Sequence, residues 1–174
     1  FPIATNERKV VNMLFNEFRK KVLENDDMDS ELETTDSTLL KIITLASIIQ
    51  GETNLPNEMP VVSGVYINRL NKGMKLEADP TVQFIIPDGP RRLLYEDLKI
   101  NSPYNTYLFK GLPPGPINNP GVNAIKAALN PAEHNYIFFV ATGQGGHRFS
   151  ETYQQHLDAV KDYRKKLKEN KKNK

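Results

Sequence analysis

The sequence predicts an α+β fold in which several helices pack with a small antiparallel sheet and a long proline-rich loop. Apolar residues recur at helical spacing in several segments, and one short run rich in aromatic and β-branched residues lies near the end, at residues 136–140. There is no internal repeat and no linker between two cores. A chain of 174 residues that is 39% hydrophobic can build one core, so a single domain is expected over residues 1–174.

Three helices are predicted in the first half of the chain. Residues 6–24 have the spacing of an amphipathic surface helix, and a polar connection follows to residue 35. Residues 36–38 offer N-caps for a largely buried helix that runs from Leu39 to a stop between residues 52 and 54. Pro60 suits the first turn of a third helix, which Gly73 ends.

The middle of the chain is rich in proline. Asp79 and Pro80 predict an N-cap and the start of a short helical turn through Phe84, and residues 87–92 form a loop. Five Pro and two Gly between residues 101 and 120 forbid a long regular element. This segment should be an extended loop of fixed shape, which serves either as a wall of a groove or only as a structural turn.

The last third should contain two helices and the sheet. Asn119 and Pro120 predict the cap of a helix that ends at residue 130. A buried strand over residues 136–140, a turn over residues 143–146 and a partner strand over residues 147–149 follow. Thr152 starts a final helix, and four apolar residues are expected on one of its faces: Tyr153, Leu157, Val160 and Leu167.

Charge and composition exclude several functions. Residues 165–174 hold six Lys and one Glu and form a basic tail, predicted to be a frayed helix end, which leaves the rest of the chain at about −3. A body of that charge does not favour nucleic-acid binding. The chain has no Cys, and the spacing of His134, His147 and His156 fits no zinc signature, so neither metal nor cofactor is expected. The glycines of residues 143–146 lack the ending of a phosphate-binding loop.

No stretch of the sequence is long and apolar enough to cross a membrane. The chain begins at Phe1 and Pro2 with neither Met nor a leader, which indicates a processed or truncated piece of a longer protein.

Glu52 is the residue that suggests chemistry. It lies three, four and seven residues beyond Ile49, Ile48 and Leu45, so a continuous helix places it on their apolar face. Loss of hydration would raise the pKa of this carboxyl, so that Glu52 could act as a general acid near neutral pH. Taken alone, the spacing fits a structural acid paired with an Arg such as Arg69 at least as well.

Further motifs change that balance. The segments ASIIQGET at residues 46–53, VYINRL at 65–70 and GMKLEADPTVQ at 73–83 resemble the YceG-like family of endolytic murein transglycosylases. The likeness continues in the same order through YNTY at 104–107, GLPPGPI at 111–117 and GGHRFS at 145–150. The resemblance implies a catalytic core over residues 36–164.

Carried over position by position, the family's catalytic glutamate falls on Glu52. The resemblance implies that further residues bind the saccharide: Asn68, Arg69, Asp79, Thr81, Gln83, Tyr104, Asn105, Thr106, Tyr107 and His147. Spacing alone favours helix capping over substrate contact for Asp79. Gln50 stands where many relatives are expected to have a second acidic residue, so a paired carboxylate at that position is in doubt.

The implied reaction cleaves the bond between N-acetylmuramic acid and N-acetylglucosamine within peptidoglycan strands. Glu52 protonates the glycosidic oxygen, and then helps to deprotonate the muramic sugar's own primary hydroxyl, which closes an anhydro ring without water. The resemblance also implies an extracytoplasmic location, an upstream membrane anchor, and cell-wall synthases as partners.

Two alternatives stay open. Gln50 and the missing upstream region would also suit a non-catalytic module that binds peptidoglycan. A glycoside hydrolase would need a second carboxylate, for which Asp79, Glu58 and Asp97 are candidates.

Overall fold

The computed structural model describes residues 6–23, 36–87, 89 and 91–172, which fall into two units divided between residues 40 and 41. Helices and a two-stranded antiparallel sheet make up the described chain, so the α+β prediction is confirmed. The predicted polar connection up to residue 35 and the last two residues of the tail lie outside the described residues. The predicted boundaries of the catalytic core and the tail stay predictions.

The first unit contains α1, Glu7–Phe18, and a π-helical turn, Arg19–Leu23. Asn6 caps α1, because its side-chain oxygen accepts a hydrogen bond from the Lys9 amide at 2.9 Å. The helix predicted for residues 6–24 is therefore confirmed.

Helix α2, Asp36–Glu52, enters the second unit and provides the centre of its core. It begins three residues before the predicted start and ends at Glu52, within the predicted range. Leu45, Ala46, Ile48 and Ile49 are each at most 4% exposed. Because four nearly consecutive positions are buried, α2 is enclosed on all sides over this stretch, and its end delivers Glu52 into the interior.

Helices α3, Met59–Asn71, and α5, Val122–Leu129, pack beside each other. Pro60 lies in the first turn of α3, and Gly73 follows its end with a φ of 62°, as predicted. The predicted cap of α5 at residues 119–120 is wrong, because Gly121 is the N-cap. The side-chain amide of Asn118 donates to Ser47 O at 2.8 Å and so holds the segment before α5 against α2.

A short helix and a long irregular segment connect α3 to α5. Helix α4, Asp79–Gln83, appears where predicted, and a 3-10 turn follows at Asp97–Lys99. No regular element forms between residues 101 and 120, as the prolines required. Asn105 is fully buried, and its amide donates to the carbonyls of Leu98 and Ile100 at 3.0 and 2.8 Å, which fixes the start of this loop.

The sheet is a hairpin of β1, Phe138–Ala141, and β2, His147–Ser150, paired so that Phe138 faces Ser150 and Ala141 faces His147. The strand order and the glycine turn are as predicted. The Tyr136–Val140 strand starts two residues late, and β1 is half-buried rather than buried. All four of its residues line a pocket, which explains this partial exposure.

Helix α6, Tyr153–Lys172, packs on the hairpin. The hydroxyl of Thr152 accepts from the Gln155 amide at 3.3 Å, as an N-cap does. The apolar residues predicted to share one face are mostly exposed, since Tyr153, Leu157 and Leu167 are 62%, 41% and 38% exposed. The face that turns inward carries Ala159, which is 3% exposed, with His156, Val160 and Tyr163 partly covered.

Gly64 offers a test of the packing of α3. A Cβ at this position would overlap the carbonyl oxygen of Ala132 and lie 2.6 Å from Nε2 of His134. Because a backbone atom must move, we expect Gly64→Ala to lower the free energy of unfolding by about 1–3 kcal/mol. Urea denaturation measures it, with Asn71→Ala on the exposed end of α3 as control. Equal stability of both variants would contradict this packing.

Candidate functional site

A pocket of about 370 Å³ opens at the end of α2. Its walls come from α2 and α3, from the segment that leads into α4, from the long loop, and from the hairpin with α6. The polar residues that line it are Glu52, Tyr66, Arg69, Glu77, Asp79, Tyr107, His147 and His156, and its apolar residues include Leu76, Phe138, Phe139 and Val140. Elements separated by a hundred residues thus meet around one carboxyl group.

Glu52 lies at the C-terminal end of α2, partly open to the pocket. Burial raises the pKa of Glu52 to about 7, and the negative charge of Asp79 acts in the same direction. The hydroxyl of Tyr66 donates to Oε1 at 2.6 Å and opposes that rise, as does the charge of Arg69. At neutral pH this carboxyl is therefore divided between its acid and its base form.

Tyr66 is 1% exposed, and it places its hydroxyl beside Glu52 from the neighbouring helix α3. Burial and the adjacent carboxylate raise the pKa of Tyr66 well above its ordinary value, so the phenol keeps its proton and remains a donor. The predicted alternative, in which Glu52 pairs with Arg69, is not what forms: Arg69 forms its ion pair with Glu77.

Asp79 opens α4, but its side chain makes no capping hydrogen bond. Its Oδ1 accepts from the Tyr107 hydroxyl at 2.5 Å instead, across the pocket wall. The expectation that Asp79 caps the helix is therefore wrong, because Ala78 occupies the N-cap position and Tyr107 holds the carboxylate. Burial raises the pKa of Tyr107, and the hydrogen bond to Asp79 acts in the same direction. This hydroxyl therefore also stays protonated.

Three residues predicted to bind saccharide, a role that stays a prediction, pair with one another and with the backbone in the wall of the pocket. Thr81 and Thr106 are at most 1% exposed, and their hydroxyl oxygens lie 2.8 Å apart. Thr81 donates to Ala78 O at 2.7 Å, and Thr106 accepts from the Ala78 amide at 3.0 Å. Asn105 accepts from the Tyr107 amide at 3.0 Å. Buried polar groups of this kind, fully paired, fix the positions of Asp79 and Tyr107.

Arg69 lines the pocket and also joins its walls. Its guanidinium donates to Ile137 O at 2.7 Å, to Lys75 O and Leu76 O at 3.1 and 2.9 Å, and to the carboxylate of Glu77 at 3.1 Å. It also lies 5.4 Å from the ring centre of Phe138. Most of its donors are thus engaged within the protein.

Asn68 lies outside this pocket. Its side-chain amide donates to the carbonyls of His134 and Tyr136 at 2.7 and 3.0 Å, which ties α3 to the segment that precedes β1. Gln83 and Tyr104 do not line the pocket either: Gln83 lines a second hollow beside Gly51 and Phe84, and the ring of Tyr104 lies 5.0 Å from that of Phe84. The saccharide roles predicted for these three residues stay predictions, and they concern positions outside the Glu52 pocket.

His147 lines the pocket from the start of β2 and is held by Glu58. Its Nδ1 lies 2.9 Å from one carboxylate oxygen, and its amide donates to the other at 2.7 Å. Burial opposes ionisation of Glu58, but the hydrogen bonds from His147 outweigh it and hold the pKa of Glu58 below its ordinary value. The pair fastens the hairpin to the beginning of α3.

Gln50 does not face Glu52's pocket. Its Nε2 donates to Asn54 Oδ1 at 3.2 Å, and its Oε1 accepts from the Gly121 amide at 3.2 Å, at the start of α5. The absence of an acid at this position therefore removes no group from the pocket. Of the three proposed second carboxylates, Asp79 alone lines the pocket, since Asp97 pairs with Arg91 at 2.7 Å and Glu58 with His147.

No group of three or more potential metal ligands occurs among the described residues, and none of their helices is long and apolar enough to span a membrane. His134, one of the three histidines considered for a metal site, contacts Val61 O through Nε2 at 2.9 Å, and its Nδ1 accepts from the Tyr136 amide at 3.1 Å.

The pocket residues that the sequence did not predict as site residues include Tyr66, Glu77, Phe138 and His156. Tyr66 follows Glu52 by 14 residues, one helix later, and only the packing of α2 on α3 brings them together. Glu77 has a φ of 51°, a left-handed conformation that is unusual for a residue other than Gly. No sequence signal marks it, although strained backbone of this kind is concentrated at functional sites.

A family model described as the YceG-like family matches residues 1–162. A protein named endolytic murein transglycosylase from Bacillus subtilis is 39% identical over 134 residues, which are 77% of this chain and 37% of that protein. One of the same name from Streptococcus pneumoniae is 29% identical, over 74% of this chain and 24% of its own length. The chain therefore spans about a third or less of these relatives.

A crystal structure of a yceG-like protein from Listeria monocytogenes has a similar fold. It superposes with a TM-score of 0.65 at 34% identity, over 86% of this chain and 45% of that one.

The buried carboxyl predicts how stability depends on pH. The pKa of Glu52 is raised in the folded state, so the wild type should lose stability as pH rises from about 4.5 to about 7. We expect the neutral Glu52→Gln protein to match it below that window and to exceed it above pH 7, by on the order of 3 kcal/mol. Denaturation at several pH values measures the difference.

Glu58→Gln is the matched contrast, because the pKa of Glu58 is lowered. Its substitution should destabilise at neutral pH, and the deficit should shrink as pH falls. A pH-independent difference for Glu52→Gln would contradict a raised pKa of Glu52.

Proposed function

Since this chain belongs to the YceG-like family, we propose that it is the catalytic domain of an endolytic lytic transglycosylase that cleaves peptidoglycan glycan strands. The observation that carries the proposal is Glu52, a carboxyl with a pKa of about 7 in a pocket large enough for a sugar-sized group. The bond cleaved is the one between N-acetylmuramic acid and N-acetylglucosamine, and the new end is an anhydro sugar.

The hydrogen bond from Tyr66 decides which oxygen of Glu52 carries the proton. Oε1 accepts a hydrogen bond from the Tyr66 hydroxyl, with 2.6 Å between the two oxygens. The acid proton of neutral Glu52 therefore sits on Oε2. Tyr66 itself contributes no proton to the reaction, because its pKa is far above neutrality. Glu52 can therefore present one donor, in one orientation, to a glycosidic oxygen in the pocket.

In the first step, Oε2 of Glu52 gives its proton to the glycosidic oxygen. The bond from that oxygen to the anomeric carbon of the muramic sugar breaks, and the glucosamine residue leaves with a free hydroxyl. Positive charge develops at the anomeric carbon. The carboxylate of Asp79, held by Tyr107 in the same pocket, is placed to stabilise that charge electrostatically.

In the second step, Glu52 is a carboxylate and removes the proton of the muramic sugar's primary hydroxyl. The hydroxyl oxygen bonds to the anomeric carbon of the same sugar and closes the anhydro ring. Glu52 ends as it began, with a proton on Oε2, and no water is consumed. Because both reacting groups belong to one sugar, a pocket that fixes its conformation can supply ~7 kcal/mol or more of the barrier reduction.

The cellular setting is part of the proposal. The relatives' names refer to murein, which lies outside the cytoplasmic membrane, so we place the reaction there. Anchoring by an upstream segment and cooperation with cell-wall synthases rest on the family resemblance.

Loss of the proton donor should abolish turnover but not binding. We expect Glu52→Gln to release anhydro products from purified glycan strands at least about 10³-fold more slowly, because the amide has no acid proton to give. Its affinity for the strands should change less than about threefold. Mass spectrometry of the products and a sedimentation assay measure the two quantities.

Glu96→Gln serves as control, since this exposed carboxylate pairs with Lys99 away from the pocket. Unchanged release by Glu52→Gln would overturn the assignment. Products heavier by one water in the wild type would indicate hydrolysis instead, with Asp79 as the second carboxylate. Binding by the wild type without any product would indicate a peptidoglycan-binding module.

The Tyr66 hydroxyl should set the pH range of activity. Activity that needs protonated Glu52 declines above its pKa of about 7. Tyr66→Phe removes a hydrogen bond that lowers this pKa, so we expect the alkaline limb of kcat against pH to move upward by about one pH unit. A loss of activity with an unmoved limb would mean that Tyr66 supports the fold alone. Tyr95→Phe, at an exposed tyrosine outside the pocket, is the matched control.

A further inference from the structure

His156 is a side chain of the pocket that the mechanism above does not use. It lies on α6 and reaches the same cavity as Glu52, from the opposite end of the chain. Its ring is stacked on Phe138, with ring centres 5.2 Å apart and planes 22° from parallel. The stack fixes the ring plane, so the two nitrogens have set directions.

The two nitrogens have different surroundings. Nδ1 is buried and has no hydrogen-bond partner among the described residues. A buried lone pair without a donor costs less than a buried N–H without an acceptor, so the ring proton belongs on Nε2. Nε2 is then an N–H donor, on a side chain that lines the pocket.

The ring is also neutral near pH 7. Burial lowers the pKa of His156 below its ordinary value, and the positive charge of Arg69 acts in the same direction. A neutral N–H donor suits a neutral acceptor such as an amide carbonyl. An anionic ligand is disfavoured here, because Glu52, Glu77 and Asp79 line the same pocket and Arg69 is already engaged by Glu77.

The surface beside this donor is apolar. Phe138, Phe139 and Val140 line the pocket along β1, and Leu76 lines it from the segment before α4. A donor beside an aromatic surface matches the two ends of an acetamido group, whose carbonyl accepts a hydrogen bond and whose methyl needs an apolar contact. A sugar that carries a hydroxyl in place of the acetamido group has no methyl to contact the apolar surface.

We propose that His156 is a specificity-determining residue: its Nε2–H donates to the carbonyl of a substrate acetamido group, and Phe138 and its neighbours receive the methyl. The proposal rests on the glycan substrate of the proposed function and names the chemical group by which that substrate is selected. The donor is neutral, so the selection should not depend on salt.

Two tetramers with the same β-1,4 linkage test this role. They are the tetramer of N-acetylglucosamine and cellotetraose, which carries hydroxyls in place of the acetamido groups. By isothermal titration calorimetry, the wild type should bind the acetylated tetramer at least about tenfold more tightly. His156→Phe keeps the stack on Phe138 but loses the donor, and its preference should fall to within about twofold. His156→Gln, whose amide can replace the Nε2 donor, should recover most of it.

Three outcomes would overturn the assignment: no preference in the wild type, a preference that His156→Phe retains, or equal weakening of both tetramers. Thermal unfolding of each variant shows whether the fold persists, and His156→Gln keeps the test decisive if the Phe variant unfolds. Failure of the proposed function would look different. Wild-type protein would prefer the acetylated tetramer through His156 yet release no anhydro product from glycan strands.

Discussion

A carboxyl group held away from water at the end of a buried helix needs a partner, and Tyr66 is that partner for Glu52. The bond requires α2 to end at Glu52 and α3 to pass beside it with Tyr66 facing inward, so the packing of these helices and the acidity of the pocket are one constraint. Desolvation without the phenol would raise the pKa further, whereas solvation would return it to an ordinary value. Other walls of the pocket are arranged around this pair.

Many of the polar side chains near Glu52 hold the backbone of the pocket walls in place. Arg69 satisfies three backbone carbonyls, and Thr81 with Thr106 satisfies the turn that leads into α4. Loops without regular structure leave backbone groups unpaired, and buried side chains that pair them give such loops a single conformation. The left-handed backbone at Glu77 is held in the same way, by its amide to Thr106 O at 3.2 Å and its carboxylate to Arg69. Rigidity of this kind is what an intramolecular ring closure needs from its surroundings.

The sequence predicted the class of fold, the described helices and the hairpin, because periodicity and turn residues are local signals. Spacing placed Glu52 on the apolar face of Ile48 and Ile49, but only the family resemblance favoured a catalytic role over a structural one. The sequence did not predict Tyr66 or His156, because their approach to Glu52 depends on how helices pack, which no local pattern records. Family likeness predicts saccharide contacts for Asn68, Thr81 and Asn105, and the structure adds that their side chains pair with backbone and hydroxyl groups of the protein. Motifs identify positions that matter without telling contact from support.

The pKa of Glu52 bears on which reaction suits this pocket. A hydrolase divides its work between two carboxyl groups, and it gains when their environments push the two pKa values apart. In a transglycosylase, one carboxyl group gives a proton and then takes one. A pKa of that group near the working pH therefore serves both steps without favouring either. Glu52, at about 7, has that intermediate value, because desolvation raises it and Tyr66 limits the rise. In the proposed reaction, the carboxylate of Asp79, held by Tyr107, stabilises the charge that develops on the sugar.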